Sequence, residues 1–263
     1  MKIVRYRDAA SGEVRYGVLE DETVHTASGD PFDGGLTKGD VIGRMEALTL
    51  LPPVQPGKIV CVGLNYRAHI TENDATRQVP DEPILFMKPP SALIGPDEPI
   101  RIANPNNRTD YEAELVIVIG KEARNVAEAD VPDVVFGYTA GNDVSDRVLQ
   151  QKDGQWVRAK GFDTYCPLGP CVVTADELDV SDVPVISRLN GETRQDQRTS
   201  SMIFSPTVLV AFISRVMTLH PGDVILTGTP ENVGPMQPGD TIEIEVGGIG
   251  VLRNPVEGPL GGE

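Results

Sequence analysis

The sequence lacks three features that would each point to a class of protein: a long apolar run, a basic surface and paired cysteines. No apolar stretch approaches the ~18–20 residues that a membrane span requires. The chain of 263 residues has 23 Lys and Arg against 39 Asp and Glu, a formal net charge of −16. Because nucleic-acid binding needs basic side chains that displace counterions from phosphates, this composition argues against a nucleic-acid-binding protein as well as a membrane protein.

Cysteine is scarce, and its spacing is not that of a zinc site or a disulfide framework. The three cysteines, Cys61, Cys166 and Cys171, include no Cys-x-x-Cys pair. We interpret them as small buried apolar residues in a reducing compartment. The first residues, Met1–Tyr6, are already strand-like and lack the apolar core of a signal peptide. Together these features predict a cytoplasmic protein.

Residues 1–55 are predicted to form a small N-terminal α+β domain. Apolar and polar residues alternate over Val14–Val18, which predicts a strand that pairs with Lys2–Tyr6 as a hairpin. Apolar residues over Gly39–Leu50 recur at near-helical spacing, which predicts a helix. The proline-rich stretch Pro52–Gly57 then predicts a stiff linker.

The rest of the chain is predicted to be a larger strand-rich domain over residues 57–256, followed by a flexible Gly-rich tail over 257–263. Ser205 suits the N-cap and Pro206 the first turn of one amphipathic helix. Asn190-Gly191 is typical of a hairpin turn. We expect strands at Ile59–Val62, Ile84–Lys88, Glu114–Ile119, Val134–Ala140, Cys171–Thr174, Val185–Leu189, Asp223–Leu226 and Ile242–Val246.

Two acidic side chains lie at the start of the most apolar predicted strand. Glu112 and Glu114 come just before the run Leu115–Ile119, and residues two apart on a strand point to the same face. Two like charges there repel each other and resist desolvation, and a divalent cation would relieve both costs. Oxygen ligands alone favour Mg²⁺, Mn²⁺ or Ca²⁺ over zinc. The alternative is that the two carboxylates are the solvated end of a strand.

Other segments carry side chains that could join these carboxylates. Asp143 follows the predicted strand that ends at Ala140 and supplies a third carboxylate if the two strand ends lie close together. Lys160 stands in a segment of small and aromatic residues, which favours a functional role, although a surface lysine is the alternative. His69 and Glu72, three residues apart in a predicted helical turn, would share a face.

Taken together, these segments resemble the fumarylacetoacetate hydrolase family, specifically its prokaryotic-type members with a small N-terminal domain. The motifs occur in the family's order and cover residues 57–256. Each motif alone is weak evidence for the family, but the occurrence of several motifs in the family's order makes the resemblance specific. The matching motifs are Gly63-Leu64-Asn65-Tyr66-x-x-His69-x-x-Glu72, Lys88-Pro89-Pro90-Ser91, Asp110-Tyr111-Glu112-Ala113-Glu114-Leu115, Gly141-Asn142-Asp143-x-x-x-Arg147, Lys160-x-Phe162-Asp163 and Thr227-Gly228-Thr229-Pro230-x-x-Val233-Gly234.

The resemblance implies a fold and a set of site residues. The fold is mainly β with some α, with a mixed β-roll and β-sandwich catalytic domain. The site holds Mg²⁺ or Mn²⁺ on carboxylates, places a lysine charge beside the substrate, and activates water with a His–Glu dyad. The residues that match these roles are Glu112, Glu114 and Asp143 for the metal, His69, Glu72 and Lys160 for catalysis, and Tyr66, Arg147, Gln150 and Thr229 for the substrate.

The resemblance also implies a range of reactions on small 2-oxo acids. Family members hydrolyse C–C bonds of acylpyruvates, decarboxylate oxaloacetate, or isomerise and tautomerise compounds such as 2-hydroxyhepta-2,4-diene-1,7-dioate, all through a metal-bound enolate. The presence of both His69 and Glu72 favours water activation and therefore hydrolysis. Related proteins are commonly dimers, so we expect a homodimer. The alternative from another class is a catalytically silent metal-binding module, against which the complete set of charged residues argues.

Overall fold

The computed structural model describes residues 1–72, 76 and 78–259. Strands hold 45% of the residues and helices 16%, which confirms the predicted mainly β fold with some α. No helix within these ranges is long and apolar enough to cross a membrane.

The strands and helices are numbered in chain order. The N-terminal strands are β1 Lys2–Arg7, β2 Val14–Glu20, β3 Thr23–Asp30, β4 Gly35–Arg44 and β5 Thr49–Leu51. The strands that follow are β6 Ile59–Gly63, β7 Ile84–Lys88, β8 Leu93–Ile94, β9 Ile100–Arg101, β10 Thr109–Tyr111, β11 Ala113–Ile119, β12 Val135–Asn142, β13 Ser145–Asp146, β14 Cys166–Thr174, β15 Pro184–Leu189, β16 Glu192–Arg198, β17 Val224–Leu226, β18 Gly234–Pro235, β19 Thr241–Val246 and β20 Gly250–Glu257. The α-helices are α1 Arg67–Thr71, α2 Arg147–Asp153, α3 Val157–Lys160 and α4 Pro206–Val216, and short 3-10 helices span Met45–Ala47, Pro90–Ala92, Glu128–Asp133 and Thr199–Ser201.

Three sheets organise these strands. The largest has twelve strands in the order β4-β3-β2-β1-β14-β12-β11-β17-β6-β7, with β5 beside β1 and β8 beside β14. A five-stranded sheet has the order β16-β15-β19-β20-β9, and a three-stranded sheet has the order β13-β10-β18. Each predicted strand of the larger domain overlaps one of these strands, and the ends agree to within two residues except that β14 begins at Cys166 and not at Cys171.

Strand β11 lies inside the largest sheet and is buried on both faces, as its apolar run predicts. All seven of its residues are buried. Leu115 packs against the five-stranded sheet, whereas Ile117 and Ile119 pack in a second cluster with α4. Because full burial of a Val, Leu or Ile side chain stabilises the fold by ~1.5–3 kcal/mol, the strand is a firmly held base for the groups at its N-terminal end.

The helix predicted to begin at Ser205 and Pro206 is confirmed as α4. The Ser205 hydroxyl accepts a hydrogen bond from the Val208 N–H at 3.4 Å, and Pro206 occupies the first turn. Leu209 and Ile213 are buried against the cluster that contains the ends of β11. The helix ends at Val216.

The helix predicted over Gly39–Leu50 is wrong. This stretch continues strand β4, which pairs antiparallel with β3, and then forms the 3-10 helix Met45–Ala47. Gly39 and Gly43 disfavour a helix interior, whereas β-branched Val41 suits an extended strand. Val41 is also 63% exposed, so the apolar spacing does not define a buried stripe.

The N-terminal strands are attached to the larger part of the chain through the sheet itself. Strand β1 pairs with β14, with Ile3 opposite Val172. At the other end, β20 runs to Glu257, the first residue of the predicted tail, which is opposite Arg101 on β9. Residues 260–263 of that tail lie outside the described residues. The division into domains at residues 55–57 stays a prediction.

Candidate active site

The three predicted metal ligands meet at one end of the β11–β12 pair. Glu114 lies opposite Gly141 across the pair, and the Asp143 N–H donates to the Glu112 carbonyl at 3.0 Å. Antiparallel pairing therefore brings the residue after β12 beside the residue before β11. One carboxylate oxygen from each of Glu112, Glu114 and Asp143 lies within 4.8 Å of the others, and all three side chains are buried. This burial rules out the alternative of a solvated strand end.

The surroundings of these carboxylates make them electrostatically unequal. Burial and the charges of Asp143 and Glu112 raise the pKa of Glu114 well above its ordinary value. Burial also raises the pKa of Glu112, but the cations Lys160 and Arg147 outweigh it and hold that pKa well below the ordinary value. A buried cluster of like charges is costly without compensation, and Glu114 has the least compensation from protein cations.

Asp143 Oδ1 is held by an ion pair. It lies 2.6 Å from the Lys88 ammonium and accepts no regular hydrogen bond within the described residues. Lys88 Nζ directs its three hydrogen bonds to the carbonyls of Val144, Lys160 and Tyr165, at 3.1, 2.5 and 2.8 Å. An ammonium has three donors, so the contact of Lys88 with Oδ1 is one of charge. Three carboxylates whose oxygens lie within 4.8 Å of one another form an oxygen-only donor set, which fits Mg²⁺ or Mn²⁺.

Lys160 is buried in the site, which rules out the alternative of a surface lysine. It ends helix α3, and its Nζ donates to Glu112 Oε2 at 2.9 Å and to Asp143 Oδ2 at 2.5 Å. Burial lowers the pKa of Lys160, but the charges of Asp143 and Glu112 together raise it by more than burial lowers it, so the net shift of the pKa is upward. The ammonium also lies 4.9 Å from the centre of the Phe86 ring. Lys160 is therefore a charged group that Glu112 and Asp143 fix in place at the site.

His69 and Glu72 form a hydrogen-bonded dyad at the same cavity. His69 Nδ1 lies 2.8 Å from Glu72 Oε1, and Glu72 Oε2 accepts from the Asn232 N–H at 2.8 Å. An ionised carboxylate only accepts hydrogen bonds, so Nδ1 carries the proton and Nε2 is left to act as a base. Burial raises the pKa of Glu72, but the hydrogen bonds from His69 and Asn232 outweigh burial, so the net shift of the pKa is downward. The carboxylate therefore stays ionised. The segment before α1 is anchored by Asn65, whose Nδ2 donates to the Thr227 carbonyl at 2.7 Å.

The predicted substrate-binding residues divide into two groups. Arg147, Gln150 and Thr229 line the cavity, which has a volume of about 560 Å³. Arg147 Nη1 donates to Gln150 Oε1 at 2.9 Å, and its Nη2 contacts Glu112 Oε1 at 2.6 Å. Tyr66 is not among the residues that line the cavity. It is 1% exposed, and its hydroxyl has no hydrogen-bond partner within the described residues, so its role in substrate binding stays a prediction.

Several residues of the site could not be singled out from the sequence. Lys88 and Asp110 occur in the quoted motifs, but nothing in those motifs says that Lys88 lies beneath Asp143 or that Asp110 binds arginines. Gln195 lies in a polar strand, yet it is fully buried. Its Oε1 accepts from the Ala113 N–H at 3.0 Å, and its Nε2 donates to Thr229 Oγ1 at 2.9 Å. It thereby ties the backbone between the two glutamates to the loop that carries Thr229.

Comparisons with known proteins identify the family of this chain. The family described as Fumarylacetoacetate (FAA) hydrolase C-terminal matches residues 58–257, and the family described as Rv2993c-like, N-terminal matches residues 1–53. Among curated relatives, Oxaloacetate tautomerase fahd2, mitochondrial, from Xenopus laevis is 42% identical over 226 residues, which cover 82% of this chain and 70% of the relative.

Solved structures give the same result over nearly the whole chain. The crystal structure of 2-hydroxyhepta-2,4-diene-1,7-dioate isomerase from Mycobacterium marinum has a TM-score of 0.88 and 40% identity, with 98% of each chain covered. Maleylpyruvate hydrolase from Sphingobium sp. SYK-6, in complex with manganese(II) ion and pyruvate, has a TM-score of 0.81 and 31% identity, with 99% of this chain and 100% of that chain covered. The fold, the site and the extent of these matches show that this chain belongs to the fumarylacetoacetate hydrolase family.

Proposed function

We propose that this protein is a Mg²⁺- or Mn²⁺-dependent enzyme that acts on 2-oxo acids through an enolate and hydrolyses a C–C bond of acylpyruvate-type substrates. The observation that carries the proposal is that two groups of side chains with different chemistry line one cavity. The first group is the carboxylate cluster with Lys160, and the second is the His69–Glu72 dyad. A cavity with only the first could stabilise an enolate, but the second adds a base for water.

Glu112, Glu114 and Asp143 would hold the ion at the 2-oxo acid end of the substrate. The ion, when bound, would supply Lewis-acid stabilisation of negative charge on the substrate's oxygens. Lys160 would place a second positive charge beside the same oxygens without a change of position, because Glu112 and Asp143 already hold its ammonium. Fixed charges of this kind stabilise a developing oxyanion at little reorganisation cost.

The dyad would generate the nucleophile for hydrolysis. His69 Nε2 takes a proton from water, while Glu72 holds Nδ1–H and stabilises the imidazolium that forms. The resulting hydroxide adds to the distal carbonyl carbon. When the C–C bond breaks, its electron pair enters the three-carbon enolate, which takes up a proton to give pyruvate, and the other fragment leaves as a carboxylic acid. Arg147, Gln150 and Thr229 would orient the substrate.

Tautomerisation or decarboxylation is the second candidate. The Xenopus laevis relative is named an oxaloacetate tautomerase, and the Mycobacterium marinum structure is named an isomerase. Neither reaction needs an attacking water, so both would use the cluster and Lys160, with the dyad moving or positioning a proton. A silent metal-binding module is disfavoured, because a cluster of three buried carboxylates is a costly feature for a scaffold. A homodimer and a cytoplasmic location stay predictions.

A panel of 2-oxo acids tests this proposal. Acylpyruvates, oxaloacetate and 2-hydroxydienoates would each be incubated with the protein and Mg²⁺ or Mn²⁺, with the products identified by mass spectrometry. We expect pyruvate and a carboxylic acid from the acylpyruvates, and loss of turnover on chelation of the metal. Turnover of oxaloacetate or the dienoates without cleavage of any acylpyruvate would replace the hydrolase assignment with the second candidate.

A further inference from the structure

We propose that Asn232 and Tyr111 are positioning residues that hold Glu72, and through it the imidazole of His69, in the orientation that activates water. The inference deepens the proposed function and rests on it, because hydrolysis is the reaction that needs an activated water. Asn232 and Tyr111 occur next to or within the motifs of the resemblance, but neither was given a role from the sequence.

The group that holds Glu72 is a backbone N–H. The Asn232 N–H donates to Glu72 Oε2 at 2.8 Å, while Glu72 Oε1 lies 2.8 Å from His69 Nδ1. Each carboxylate oxygen therefore has its own partner, and the carboxylate cannot turn without losing one of them. Helix α1 has five residues, which is too short for a helix to be stable by itself. Glu72, at its C-terminal end, therefore depends on contacts with the rest of the fold.

Asn232 presents this N–H from a left-handed backbone conformation. Its φ is +68°, in a region that most L-residues avoid and that asparagine tolerates better than others. The Asn232 side chain is exposed, and within the described part of the chain it makes no hydrogen bond. Asparagine at this position therefore serves the backbone conformation and not a side-chain contact.

Tyr111 holds the carbonyl of the same residue. Its hydroxyl donates to the Asn232 carbonyl at 3.3 Å, from a side chain that is only 2% exposed. Burial raises the pKa of Tyr111 to about 12, so the hydroxyl keeps the proton that it donates. Tyr111 lies opposite Gly234 in the β10–β18 pair. A Cβ at Gly234 would lie 2.8 Å from the hydroxyl oxygen, so the glycine makes room for this approach.

Tyr111 also links the dyad to the carboxylate cluster. Glu112 follows Tyr111 directly in the sequence, and the contacts run from Tyr111 to Asn232 and on to Glu72. One stretch of backbone therefore sets the position of a cluster carboxylate and of the base. Hydrolysis requires this relation to be fixed, because a misplaced water attacks a substrate held at the cluster poorly.

Nitrogen NMR of the imidazoles tests the inference without turnover. The sequence contains three histidines, so the signals that disappear in His69→Ala are those of His69. We expect the neutral imidazole of His69 to carry its proton on Nδ1 in the wild type. In Asn232→Val the proton should be shared between Nδ1 and Nε2, because a β-branched residue is strained at positive φ and Glu72 is released. Asn232→Gly should keep the proton on Nδ1, since glycine adopts positive φ readily.

The rate of acylpyruvate cleavage provides a second readout. Asn232→Val should lower kcat by roughly 10–100-fold, the usual value of a hydrogen bond to a charged group. KM should change little, because the dyad acts on water and not on the bound substrate. Tyr111→Phe keeps the ring and removes one neutral hydrogen bond, so it should lower kcat by about 2–10-fold. Asn232→Gly should lose far less activity than Asn232→Val.

Asn125→Val and Tyr138→Phe are the matched controls. Asn125 also has a positive φ, +54°, and its N–H donates to the Ser214 carbonyl at 3.0 Å. Neither Asn125 nor Tyr138 is among the residues that line the cavity. Both variants should therefore keep the His69 proton on Nδ1 and the wild-type kcat.

Three results would overturn the inference. They are a His69 proton shared between both nitrogens in the wild type, an unchanged proton position and kcat in Asn232→Val, and an equal loss in Asn232→Gly and Asn232→Val. If Asn232→Val does not fold, Asn232→Ala, which adds a smaller side chain at the same φ, takes its place. A wild type that cleaves no acylpyruvate, yet loses its fixed Nδ1 proton in Asn232→Val, would contradict the proposed function and leave the positioning of the dyad standing.

Discussion

His69→Ala is expected to lower C–C bond hydrolysis by about two to four orders of magnitude, the usual span of general acid–base catalysis. The reason is that His69 Nε2 is the free nitrogen of a dyad whose other nitrogen is held by Glu72, and no other histidine lines the cavity in the described part of the chain. Oxaloacetate decarboxylation or tautomerisation should fall much less, because neither reaction requires an attacking water. Lys160→Ala should damage all of these reactions, since all would share the enolate.

His220→Ala is the matched control for this experiment. His220 lies 3.6 Å from Glu122 in an exposed pair away from the cavity, so the substitution removes an imidazole next to a carboxylate without touching the site. Thermal melts with and without Mg²⁺ would establish that each variant is folded and binds metal. An equal loss of cleavage and of oxaloacetate turnover in His69→Ala would show that His69 orients the substrate, and the hydrolase assignment would then be abandoned.

Glu114→Gln is expected to weaken Mg²⁺ or Mn²⁺ binding by more than the roughly 10–100-fold that loss of an outer-shell partner costs. Glutamine keeps the shape of the side chain, and its carbonyl oxygen can still accept from the Gly228 N–H, which Glu114 Oε2 binds at 2.6 Å. The substitution therefore removes a ligand charge and little else. Calorimetry would measure the affinity, with Glu122→Gln as a control for loss of an exposed carboxylate.

The same variant should behave differently without metal. Burial and neighbouring carboxylates raise the pKa of Glu114, so its charge is unfavourable in the metal-free protein, and Gln should leave the melting temperature unchanged or higher. Wild type should gain about 4 kcal/mol of stability at a thousandfold excess of metal over Kd, and the variant should lose most of that gain. Unchanged affinity together with an unchanged metal-induced shift would show that Glu114 is not a ligand.

The parts of the fold that follow from short-range pattern could be predicted from the sequence. The continuous apolar run of β11 and the Ser205-Pro206 start of α4 depend on neighbouring residues, and both predictions are confirmed. The helix over Gly39–Leu50 was wrong because its apolar spacing also fits an extended strand, and pairing with β3 decides between the two. That pairing is set by tertiary contacts, which the local pattern does not contain.

In the site, too, the positions set by residues close in sequence could be predicted, whereas those set by contacts between distant segments could not. A spacing of two residues at the start of β11 was enough to predict that Glu112 and Glu114 lie together, and the end of the neighbouring strand β12 added Asp143. By contrast, the burial of Gln195 in a polar strand depends on a sheet packed against β11. The position of Asp110 at the cavity, where it accepts from Arg147, likewise depends on contacts between distant parts of the chain.

The central claim is that the cluster and Lys160 together stabilise the enolate of a 2-oxo acid, whatever reaction follows. Exchange of the C3 protons of pyruvate in deuterated water, followed by proton NMR, tests it most directly, because exchange requires the enolate but neither C–C cleavage nor an attacking water. We expect loss of the methyl signal with protein and Mg²⁺ or Mn²⁺, no loss above background after chelation, and strong suppression in Lys160→Ala. A metal-loaded wild-type protein that binds pyruvate and exchanges its protons no faster than the free metal would contradict the claim.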